Sequence, residues 1–532
     1  MLAEASIMCG FIFTTDKTVS RETFSEGLSS IYHRGPDDVE LVDAKQAWLG
    51  FSRLAIMDLT HAGDQPFRHE SRYFMCNGEI YNYKQLESEL KFEYKSSSDC
   101  EVLIPLFEKY GMPGLLRKLD GEFAFVIYDE GTGDVFAARD PIGIRPLFYG
   151  ITKEGKVAFG SEVKGIQEFC TDIKALPPGS YYQNGEVFSY IDMGNVTEYI
   201  KTDIDTACSK INELLTAGVV KRLNSDAPIG FLLSGGLDSS LVCSIAQKHS
   251  KTPIKTFAIG MSDDAIDLKY AKEVADYIGS DHQEIIITKS DVLGCIRDVV
   301  KQLETYDITT IRASIGMYLI CKAIKEQTDI KVLMTGEVSD EIFGYKYTDF
   351  APSHKEFQKE AAKRVRELFM YDVLRADRCI AGNSLEARVP FSDTEFVKYV
   401  MSLDPAMKVN TYGHGKYLLR KAFEEGDYLP QSILYREKAA FSDAVGHSLV
   451  DYIKAYAEEV YTEEEVTKSA EKYPHATPFT KESLLFRDLF EEFYPGKSYL
   501  VDDFWMPNKE WDNCDVKDPS ARVLPNYGTS GL

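Results

Sequence analysis

The sequence predicts two domains of different fold class: an N-terminal α+β sandwich of antiparallel sheets with outer helices, and a C-terminal α/β domain with a parallel sheet. The chain has 532 residues, which is too long for a single core. Short β-leaning runs fill the first 190 or so residues, and strands alternate with helices from about residue 205. After about residue 355 the pattern is mainly helical.

In the first part, runs such as YFMCNGEIYNY and FAFVIYDEGTGDVFAARD place β-branched and aromatic residues between turn residues. Helical patterns interrupt them near 21–32, 83–91 and 101–118. Strands that follow one another with little intervening helix favour antiparallel pairing. We therefore predict a first domain over residues 9–190.

In the second part, the strands IGFLLSGG and IKTFAIGM alternate with helices, which is typical of βαβ units. This predicts a second domain over residues 205–505. The polar, turn-rich residues 506–532 are expected to form a mobile tail. Helices are expected at 239–249, 267–279, 355–380 and 393–403.

Composition excludes several classes of protein. The net charge is −24 and no block of Lys or Arg stands out, which disfavours a nucleic-acid partner. No apolar run approaches the roughly 18–20 residues that span a bilayer. The first dozen residues contain no Lys or Arg, so the charged start of a secretory signal is missing and a cytoplasmic location is expected. The ten scattered cysteines form no C-x-x-C pair, which argues against a zinc ribbon or a disulfide framework.

The most specific local signal is GFLLSGGLDSS at 230–240. An apolar strand enters a Gly-Gly turn, and a helix is expected to start around Asp238. Backbone N–H groups of such a turn and the helix N-terminus bind phosphate, and Asp238 can hold Mg²⁺. An ordinary Gly-Gly turn with an Asp or Ser cap is the alternative. The missing Walker lysine makes a γ-phosphate-transferring NTPase a poor fit.

A second strand and glycine turn occur in VLMTGEVSDEIFGYKY at 332–347. Glu337, Asp340 and Glu341 follow the turn closely, and three carboxylates so near one another favour a metal or an ammonium group among them. The alternative is a solvated acidic helix start.

These motifs, taken in order, resemble those of glutamine-dependent asparagine synthetases over nearly the whole chain. The resemblance rests on the following segments: MCGFIF, YHRGPD (32–37), SRLAIMD (52–58), NGEIYN (77–82), SSDCEVL (97–103), GEFAFVIYD, ARDPIGIRPLFYG, LLSGGLDSS, ETYDITTIRAS, DVLRADR, LEARVPF, REKAAFSD and DPSAR.

The resemblance implies two half-reactions in two domains. The first domain is expected to be a glutaminase of the N-terminal-nucleophile (Ntn) hydrolase type. The second is expected to be an ATP pyrophosphatase-type synthetase that forms β-aspartyl-AMP from aspartate and ATP with Mg²⁺. Ammonia would travel through an internal channel and displace AMP, giving asparagine. The resemblance also suggests a homodimer.

In the glutaminase half, the resemblance assigns the nucleophile to Cys9. A thiol needs a base, and this family uses the free α-amine of the nucleophile, whose pKa near about 7.7–8 suits neutral pH. A peptide nitrogen is not basic, so residues 1–8 are expected to be absent from the active enzyme. Initiation at Met8 followed by Met removal, or proteolytic trimming, would achieve this.

Other glutaminase roles follow residue by residue from the same resemblance. Arg53 is expected to bind the glutamine α-carboxylate, and Asp99 and Glu79 the α-ammonium and nearby groups. The Asn77 side chain and the Gly78 N–H are expected to form the oxyanion hole. The remaining glutamine-binding candidates are Leu54, Ala55, Ile56 and Met57.

In the synthetase half, the resemblance assigns Mg²⁺ to Asp238 and Asp340. Glu337 matches an acid needed around the acyl-adenylate, and Lys438 a cation facing the departing phosphates. Arg312 and Arg388 are either ligands of a substrate carboxylate or phosphate, or members of core-edge ion pairs. The expected ATP-binding residues are Leu233 and Ile259 at the adenine, Ser234, Gly235, Gly236, Asp238, Ser239 and Ser240 in the loop, and Thr335 and Gly336 at AMP.

One departure from the family pattern concerns Val338. The family usually reads S-G-E-G-S-D-E where this chain reads TGEVSDE. A valine in place of glycine is expected to exclude a positive φ and to add bulk beside the pyrophosphate. Either adenylation is slowed, or the loop is reshaped so that Val338 packs inward, and the second outcome is favoured.

Competing functions remain open. A β-lactam-forming or other amide synthetase would adenylate a different acid, and a sugar amidotransferase would lack SGGLDSS. A non-catalytic nitrogen-responsive relative would not need Asp238, Glu337, Asp340 and Lys438. A tRNA-modifying pyrophosphatase is opposed by the charge of −24.

Overall fold

A computed structural model describes residues 9–35, 37–261, 266–436 and 447–527 of the chain. Its N-terminal part contains three α-helices and twelve strands among these residues. The helices are α1 (Arg21–Ser30), α2 (Tyr83–Glu89) and α3 (Leu103–Gly114). The strands are β1 (Gly10–Thr14), β2 (Asp38–Ala44), β3 (Ala47–Arg53), β4 (Phe67–His69), β5 (Arg72–Ile80), β6 (Gly121–Asp129), β7 (Val135–Arg139), β8 (Phe148–Thr152), β9 (Val157–Gly160), β10 (Cys170–Ala175), β11 (Ser180–Gln183) and β12 (Glu186–Ser189).

These strands form two antiparallel sheets that face each other. Their orders are β10-β8-β9-β1-β3-β2 and β12-β11-β7-β6-β5-β4. Alternate side chains of a strand point to opposite faces. Phe11 and Phe13 of β1 therefore enter the core between the sheets with Met75 of β5. Ile12 points to the outer face, where Leu28 of α1 covers it. The predicted sandwich with outer helices is confirmed.

The C-terminal elements continue the chain from residue 204. The strands are β13 (Ile229–Leu232), β14 (Lys255–Met261), β15 (Asp281–Ile287), β16 (Val332–Met334) and β17 (Glu386–Arg388). The helices are α4 (Ile204–Lys221), α5 (Leu237–Lys248), α6 (Ile266–Ile278), α7 (Lys289–Leu303), α8 (Ile308–Gln327), α9 (Ser339–Phe343), α10 (His354–Glu367), α11 (Asp372–Ala381), α12 (Thr394–Ser402), α13 (Tyr417–Ala422), α14 (Gln431–Leu434), α15 (His447–Val460), α16 (Glu463–Lys472) and α17 (Lys481–Phe493).

The C-terminal strands form a parallel sheet in the order β15-β14-β13-β16-β17. Phe231 of β13 lies opposite Met334 of β16, so the two strands end at the same edge. In open α/β sheets the loops after the strands meet at that edge and form ligand sites. The predicted parallel sheet is confirmed. None of the described helices is long and apolar enough to cross a membrane.

The expected helices are present within a few residues of their predicted bounds, with two exceptions. The stretch 355–380 is divided into α10 and α11, which lie on either side of residues 368–371. Residues 101–118 were expected to form one helix, but α3 leaves helical geometry at Gly111, where φ is 57°, and at Met112. Glycine adopts this left-handed conformation without a steric penalty, so it allows the break.

The expected mobile tail is wrong for residues 506–527. Trp511, Cys514 and Leu524 are buried in a cluster with Trp505 and Tyr347. Burying the indole ring of Trp511 against Trp505 and Tyr347 stabilises the tail against the domain, because it removes a large apolar area from water. The tail is polar on average, so its composition did not indicate that these few apolar residues are buried. Residues 528–532 lie outside the described part.

Candidate active sites

We use the name thiol site for the residues predicted to carry the glutaminase chemistry: Cys9, Arg53, Asn77, Gly78, Glu79 and Asp99. Cys9 immediately precedes β1, and its Sγ accepts a hydrogen bond from the N–H of Leu54 at 3.3 Å. Burial raises the pKa of the Cys9 thiol to about 12. A thiol in this environment stays protonated near neutrality, so a separate base is needed to activate it.

An open hydrogen-bond donor lies at the same site. Asn77 on β5 is 1% exposed, and its Nδ2 donates to no acceptor within the described residues. A buried donor without a partner is costly, which favours a role towards a ligand. At the next residue, a Cβ on Gly78 would lie 2.2 Å from the carbonyl oxygen of Glu122. Only glycine fits there, which keeps this strand against β6.

Arg53, at the end of β3, is enclosed by the loop that follows it. Its guanidinium donates to the carbonyl oxygen of Thr60 at 2.7 Å and contacts the Asp64 carboxylate. Residues 54–57 are all buried. Arg53, which was predicted to bind the α-carboxylate of glutamine, is therefore held in place by its own loop. Asp64 occupies the guanidinium at which that carboxylate would bind.

Two buried acids complete the thiol site. Asp99 accepts the N–H of Ile80 at 2.6 Å, and burial, with a contribution from Glu386, raises the pKa of Asp99 to about 6. Burial also raises the pKa of Glu79 well above its usual range, and Glu79 lies 3.1 Å from the guanidinium of Arg388. Glu79 therefore already has a cationic partner.

The second site is a cavity of about 310 Å³ at the edge where β13 and β16 end, and we call it the loop cavity. Gly235 adopts φ +73°, and a Cβ there would lie 2.6 Å from the backbone nitrogen of Ala271. Glycine is needed for this tight turn. Gly235 and the fully buried Ser240 are not part of the cavity lining. The predicted ATP-binding residues that do line it are Leu233, Ser234, Gly236, Asp238, Ser239, Ile259, Thr335 and Gly336.

The loops after β13 and β16 touch inside this cavity. Ser339 Oγ donates to Asp238 Oδ1 at 2.8 Å. A Cβ on Gly336 would lie 2.8 Å from the backbone nitrogen of Ser239. Thr335 Oγ1 is buried and has no partner among the described residues. The structure thus brings the two predicted phosphate motifs together and leaves a hydroxyl open towards a ligand.

A lysine that the sequence analysis missed lies between the two predicted Mg²⁺ ligands. Lys416 Nζ is 2.7 Å from Asp238 Oδ2 and 2.7 Å from Asp340 Oδ1. Although burial opposes its charge, the two carboxylates raise the pKa of Lys416. Lys416 follows no recognisable motif, and only the fold brings it to the loops. The two carboxylates are placed as a cation site requires, with an ammonium group in the position of the cation.

Glu337 faces the cavity and is held by α11. Arg375 Nη2 lies 3.3 Å from Glu337 Oε1 and Arg375 Nη1 lies 2.9 Å from Asp372. The other oxygen of Glu337 has no partner among the described residues. Lys438 lies outside the described residues, and Arg436, two residues before it, donates to the carbonyl oxygen of Gly235 at 3.1 Å.

The expectation that Val338 excludes a positive φ is wrong. Val338 has φ +82° and is 1% exposed. The loop keeps the backbone conformation that glycine favours, although a β-branched residue is rarely found there. Packing of the side chain into the core with Met334 and Phe343 holds it in place. The inward packing that the sequence favoured is present, without a change of backbone region.

Comparisons with known proteins agree with this arrangement. Residues 8–206 match the family described as glutamine amidotransferase domain, and residues 210–360 and 349–514 match the family described as asparagine synthase. A probable asparagine synthetase (glutamine-hydrolyzing) of Acanthamoeba polyphaga mimivirus is 40% identical over 97% of this chain and 100% of its own length. The human asparagine synthetase (glutamine-hydrolyzing) is 39% identical over 98% of this chain and 99% of its own.

The chain belongs to the glutamine-hydrolysing asparagine synthetase family. The chicken member is 40% identical over 98% of this chain and 99% of its own length. The regions that match the two families meet between residues 206 and 210, close to the start of α4 at Ile204.

Buried ion pairs join the two halves of the chain beside the thiol site. Arg388 on β17 donates to Glu386 at 2.9 Å besides contacting Glu79 of the thiol site. Arg222 of α4 donates to Glu122 of β6 at 2.8 Å. Buried charges of this kind need their partners, because an unpaired one would be strongly destabilising.

The sequence left two roles open for Arg312 and Arg388, a ligand of the substrate or a member of an ion pair. In the structure both arginines lie in buried ion pairs. Arg388 pairs with Glu79 and Glu386. Arg312 contacts Glu482 and lies 2.7 Å from Asp518 of the C-terminal tail. Arg312 also lines the loop cavity, and so do Pro519 and Ser520, which follow its tail partner Asp518.

Proposed function

We propose that this protein synthesises L-asparagine from L-aspartate, ATP and the amide nitrogen of L-glutamine. The observation that carries the proposal is one chain that holds both a thiol and an open amide donor in its N-terminal half, and a loop cavity with paired carboxylates in its C-terminal half. Neither a glutaminase alone nor an adenylating enzyme alone needs both. ATP use is common to the family, and Mg²⁺ is part of the proposal.

At the thiol site, Cys9 Sγ attacks the side-chain carbonyl carbon of glutamine after its proton passes to the free α-amine of Cys9. Asn77 Nδ2 and the Gly78 N–H stabilise the negatively charged oxygen, at about 3 kcal/mol for each donor. The C–N bond breaks and the proton goes to the departing ammonia. Water then releases glutamate from the thioester. This chemistry requires removal of residues 1–8.

Substrate binding at the thiol site relies on charge. Arg53 binds the α-carboxylate of glutamine, which displaces Asp64 from the guanidinium. Asp99 binds the α-ammonium, with Glu79 nearby. The loop 54–57 closes over the side chain.

In the loop cavity, the β-carboxylate of aspartate attacks the α-phosphorus of ATP, and pyrophosphate leaves. Ammonia then attacks the acyl carbon of β-aspartyl-AMP, and AMP leaves. Leu233 and Ile259 contact adenine, the loop 234–240 binds phosphates, and Thr335 and Gly336 contact AMP.

The remaining groups of the loop cavity handle charge. Asp238 and Asp340 fit Mg²⁺, which neutralises phosphate charge when bound. Lys416 then turns towards the phosphates. Glu337 and Lys438 act around the acyl-adenylate and the departing phosphates. A homodimer and a cytoplasmic location are further proposals from the resemblance.

The test uses purified protein that begins at Cys9, with ATP, Mg²⁺ and a panel of amino acids in ATP/pyrophosphate exchange. We expect exchange with aspartate and conversion to asparagine with glutamine or ammonium. The matched variant Asp238→Asn is expected to lose exchange while it still hydrolyses glutamine. Exchange with another acid and none with aspartate would replace the proposal by a related amide or lactam synthetase. No exchange with any acid would favour a non-catalytic relative.

A further inference from the structure

Two of the motifs, YHRGPD and DVLRADR, have no role in the reaction described so far, and the fold brings them together. Arg34 of the first contacts Asp377 of the second through both arms of its guanidinium. Nη1 lies 2.9 Å from Asp377 Oδ2 and Nη2 lies 3.0 Å from Asp377 Oδ1. Arg34 is fully buried and Asp377 is 2% exposed. A bidentate pair of this kind fixes the plane of the guanidinium as well as its charge.

The third nitrogen of the same guanidinium reaches the nucleophile. Arg34 Nε donates to the backbone carbonyl oxygen of Cys9 at 3.1 Å. The aliphatic part of Arg34 lies along the next residue, where a Cβ on Gly10 would be 3.0 Å from Arg34 Cδ. The orientation of the Cys9 backbone, and with it the thiol and the α-amine, therefore depends on where Arg34 is held.

We propose that Asp377, on α11 of the synthetase half, is a positioning residue for the glutaminase nucleophile, acting through Arg34. The proposal rests on the proposed glutaminase function of Cys9. Glu162 of the N-terminal half also lies 2.6 Å from Arg34 Nη1 and supplies charge. Asp377 adds the second, parallel contact that sets the angle of the guanidinium. The thiol site is therefore complete only when the second half of the chain is docked.

The helix that carries Asp377 also reaches the loop cavity. Arg375, two residues earlier on α11, lies 3.3 Å from Glu337. One helix thus contacts a carboxylate of the loop cavity and, through Arg34, the backbone of the nucleophile. A positioning residue on this helix makes glutamine hydrolysis depend on the half of the chain that uses the ammonia.

The test compares wild type with Asp377→Asn, and both proteins begin at Cys9. The substitution keeps the shape of the side chain and removes its charge. We expect kcat for glutamine hydrolysis to fall by about tenfold or more, since small misplacements of a reacting group are costly. KM for glutamine is expected to stay within about twofold, because Arg53 and Asp99 are untouched. Ammonia-dependent asparagine synthesis is expected to be unchanged.

A second readout does not need turnover. Cys9 is partly exposed, whereas the other nine cysteines are buried, so alkylation by iodoacetamide under native conditions reports on Cys9. We expect the alkylation rate, measured by peptide mass spectrometry, to change in Asp377→Asn. Asp377→Glu keeps the charge and the fold, and is expected to recover part of kcat.

The matched control is Glu304→Gln, which removes another buried acid from the same interface. Glu304 accepts the N–H groups of Val163 at 3.0 Å and Lys164 at 2.9 Å and pairs with Arg378 at 3.0 Å. Among the described residues Glu304 does not contact Arg34 and is linked to it only indirectly, for example through Arg378, which lies 3.1 Å from Glu162 and 3.7 Å from Asp377. Glu304→Gln is therefore expected to lower the melting temperature but to change kcat and the alkylation rate of Cys9 much less than Asp377→Asn does.

Three outcomes would overturn the inference: wild-type kcat in Asp377→Asn, equal losses in Asp377→Asn and Glu304→Gln, or a parallel loss of ammonia-dependent synthesis. A wild type that hydrolyses no glutamine would instead overturn the proposed function. In that case unchanged alkylation of Cys9 in Asp377→Asn would separately overturn the positioning role.

Discussion

The two sites differ in the charge of the group that is available to a ligand. At the thiol site this group is an uncharged donor, Asn77 Nδ2, which has no partner among the described residues. In the loop cavity it is a cation, Lys416, which must leave Asp238 and Asp340 before a metal can bind them. The thiol site keeps its charged groups paired by the protein itself, as in the contact of Glu79 with Arg388. The loop cavity has two carboxylates bridged by an ammonium group.

This difference follows from the charge of the substrates. Glutamine brings one neutral carbonyl to the reaction centre, so a fixed dipole is sufficient at that carbonyl. The exchange of Asp64 for the substrate carboxylate at Arg53 takes place away from the reacting atoms. ATP brings several negative charges, and an ion pair that can exchange partners keeps the two partly exposed carboxylates neutralised before the nucleotide binds.

Cys9→Ala should separate the two sites completely. Without the thiol, glutamine-dependent synthesis should fall by about 10³-fold or more. Ammonia-dependent synthesis should persist, because the loop cavity contains none of the groups removed. Asparagine formation with each nitrogen source is the measurement. If both activities were lost, the two sites would not be independent.

Lys416→Met should expose the repulsion between Asp238 and Asp340. Because both carboxylates are partly exposed, we expect the free energy of unfolding to fall by about 2 kcal/mol without metal. Mg²⁺ should raise the melting temperature of the variant more than that of wild type, because the carboxylates are free to bind it.

The control for Lys416 is Lys421→Met on α13, whose partner Asp205 lies 3.0 Å away at the surface. It should change neither stability nor the response to Mg²⁺. A response to Mg²⁺ equal in Lys416→Met and wild type would contradict the role of Lys416 as a substitute cation.

Asp99 should make glutamine binding depend on pH. Its pKa of about 6 means that the carboxylate becomes protonated as pH falls below 6 and loses its attraction for the α-ammonium. KM for glutamine should then rise by up to about tenfold per pH unit. Because the folded pKa is raised above the ordinary value of 3.8, protonation of Asp99 favours the folded state as pH falls from 6 towards 4.

Asp99→Asn is the control for that titration. It should show a high KM that varies little between pH 5 and 7, and it should remove the contribution of Asp99 to the pH dependence of stability. Glutamine kinetics and urea unfolding across this range test both points. A KM for wild type that stays constant below pH 6 would rule out the assigned role.

Substitution of Val338 should give the smallest change in the free energy of unfolding, because relief of backbone strain and loss of side-chain burial oppose each other. Its φ of +82° is strained by about 1–3 kcal/mol, and Val338→Gly relieves that strain. The same change removes a buried side chain and adds freedom to the unfolded chain. We expect Val338→Gly to lie within about 1 kcal/mol of wild type and Val338→Ala to be less stable than Val338→Gly by about 1 kcal/mol. Chemical denaturation decides the order, and Val338→Ala as the more stable variant would contradict strain at this position.

The strands and the glycine loops could be read from the sequence because they depend on local chemistry. Phe11, Ile12 and Phe13 form a continuous apolar run, which is typical of a strand that is covered on both faces. Gly235 and Gly336 mark turns that only glycine fits, so both phosphate motifs were visible. Cys9 and Asn77 were identified through the family resemblance of the short segments that contain them, whereas Asp238 was already indicated by the loop motif at 230–240.

Partners that are distant in the chain were decided by the tertiary structure. Lys416 reaches Asp238 across 178 positions, and Arg34 reaches Asp377 across 343, with no local pattern to signal either contact. The φ of Val338 was also decided there, since core packing offsets a conformation that valine disfavours by itself. Local preferences amount to about 1 kcal/mol per residue, and burial of charges and side chains in a common core can exceed them.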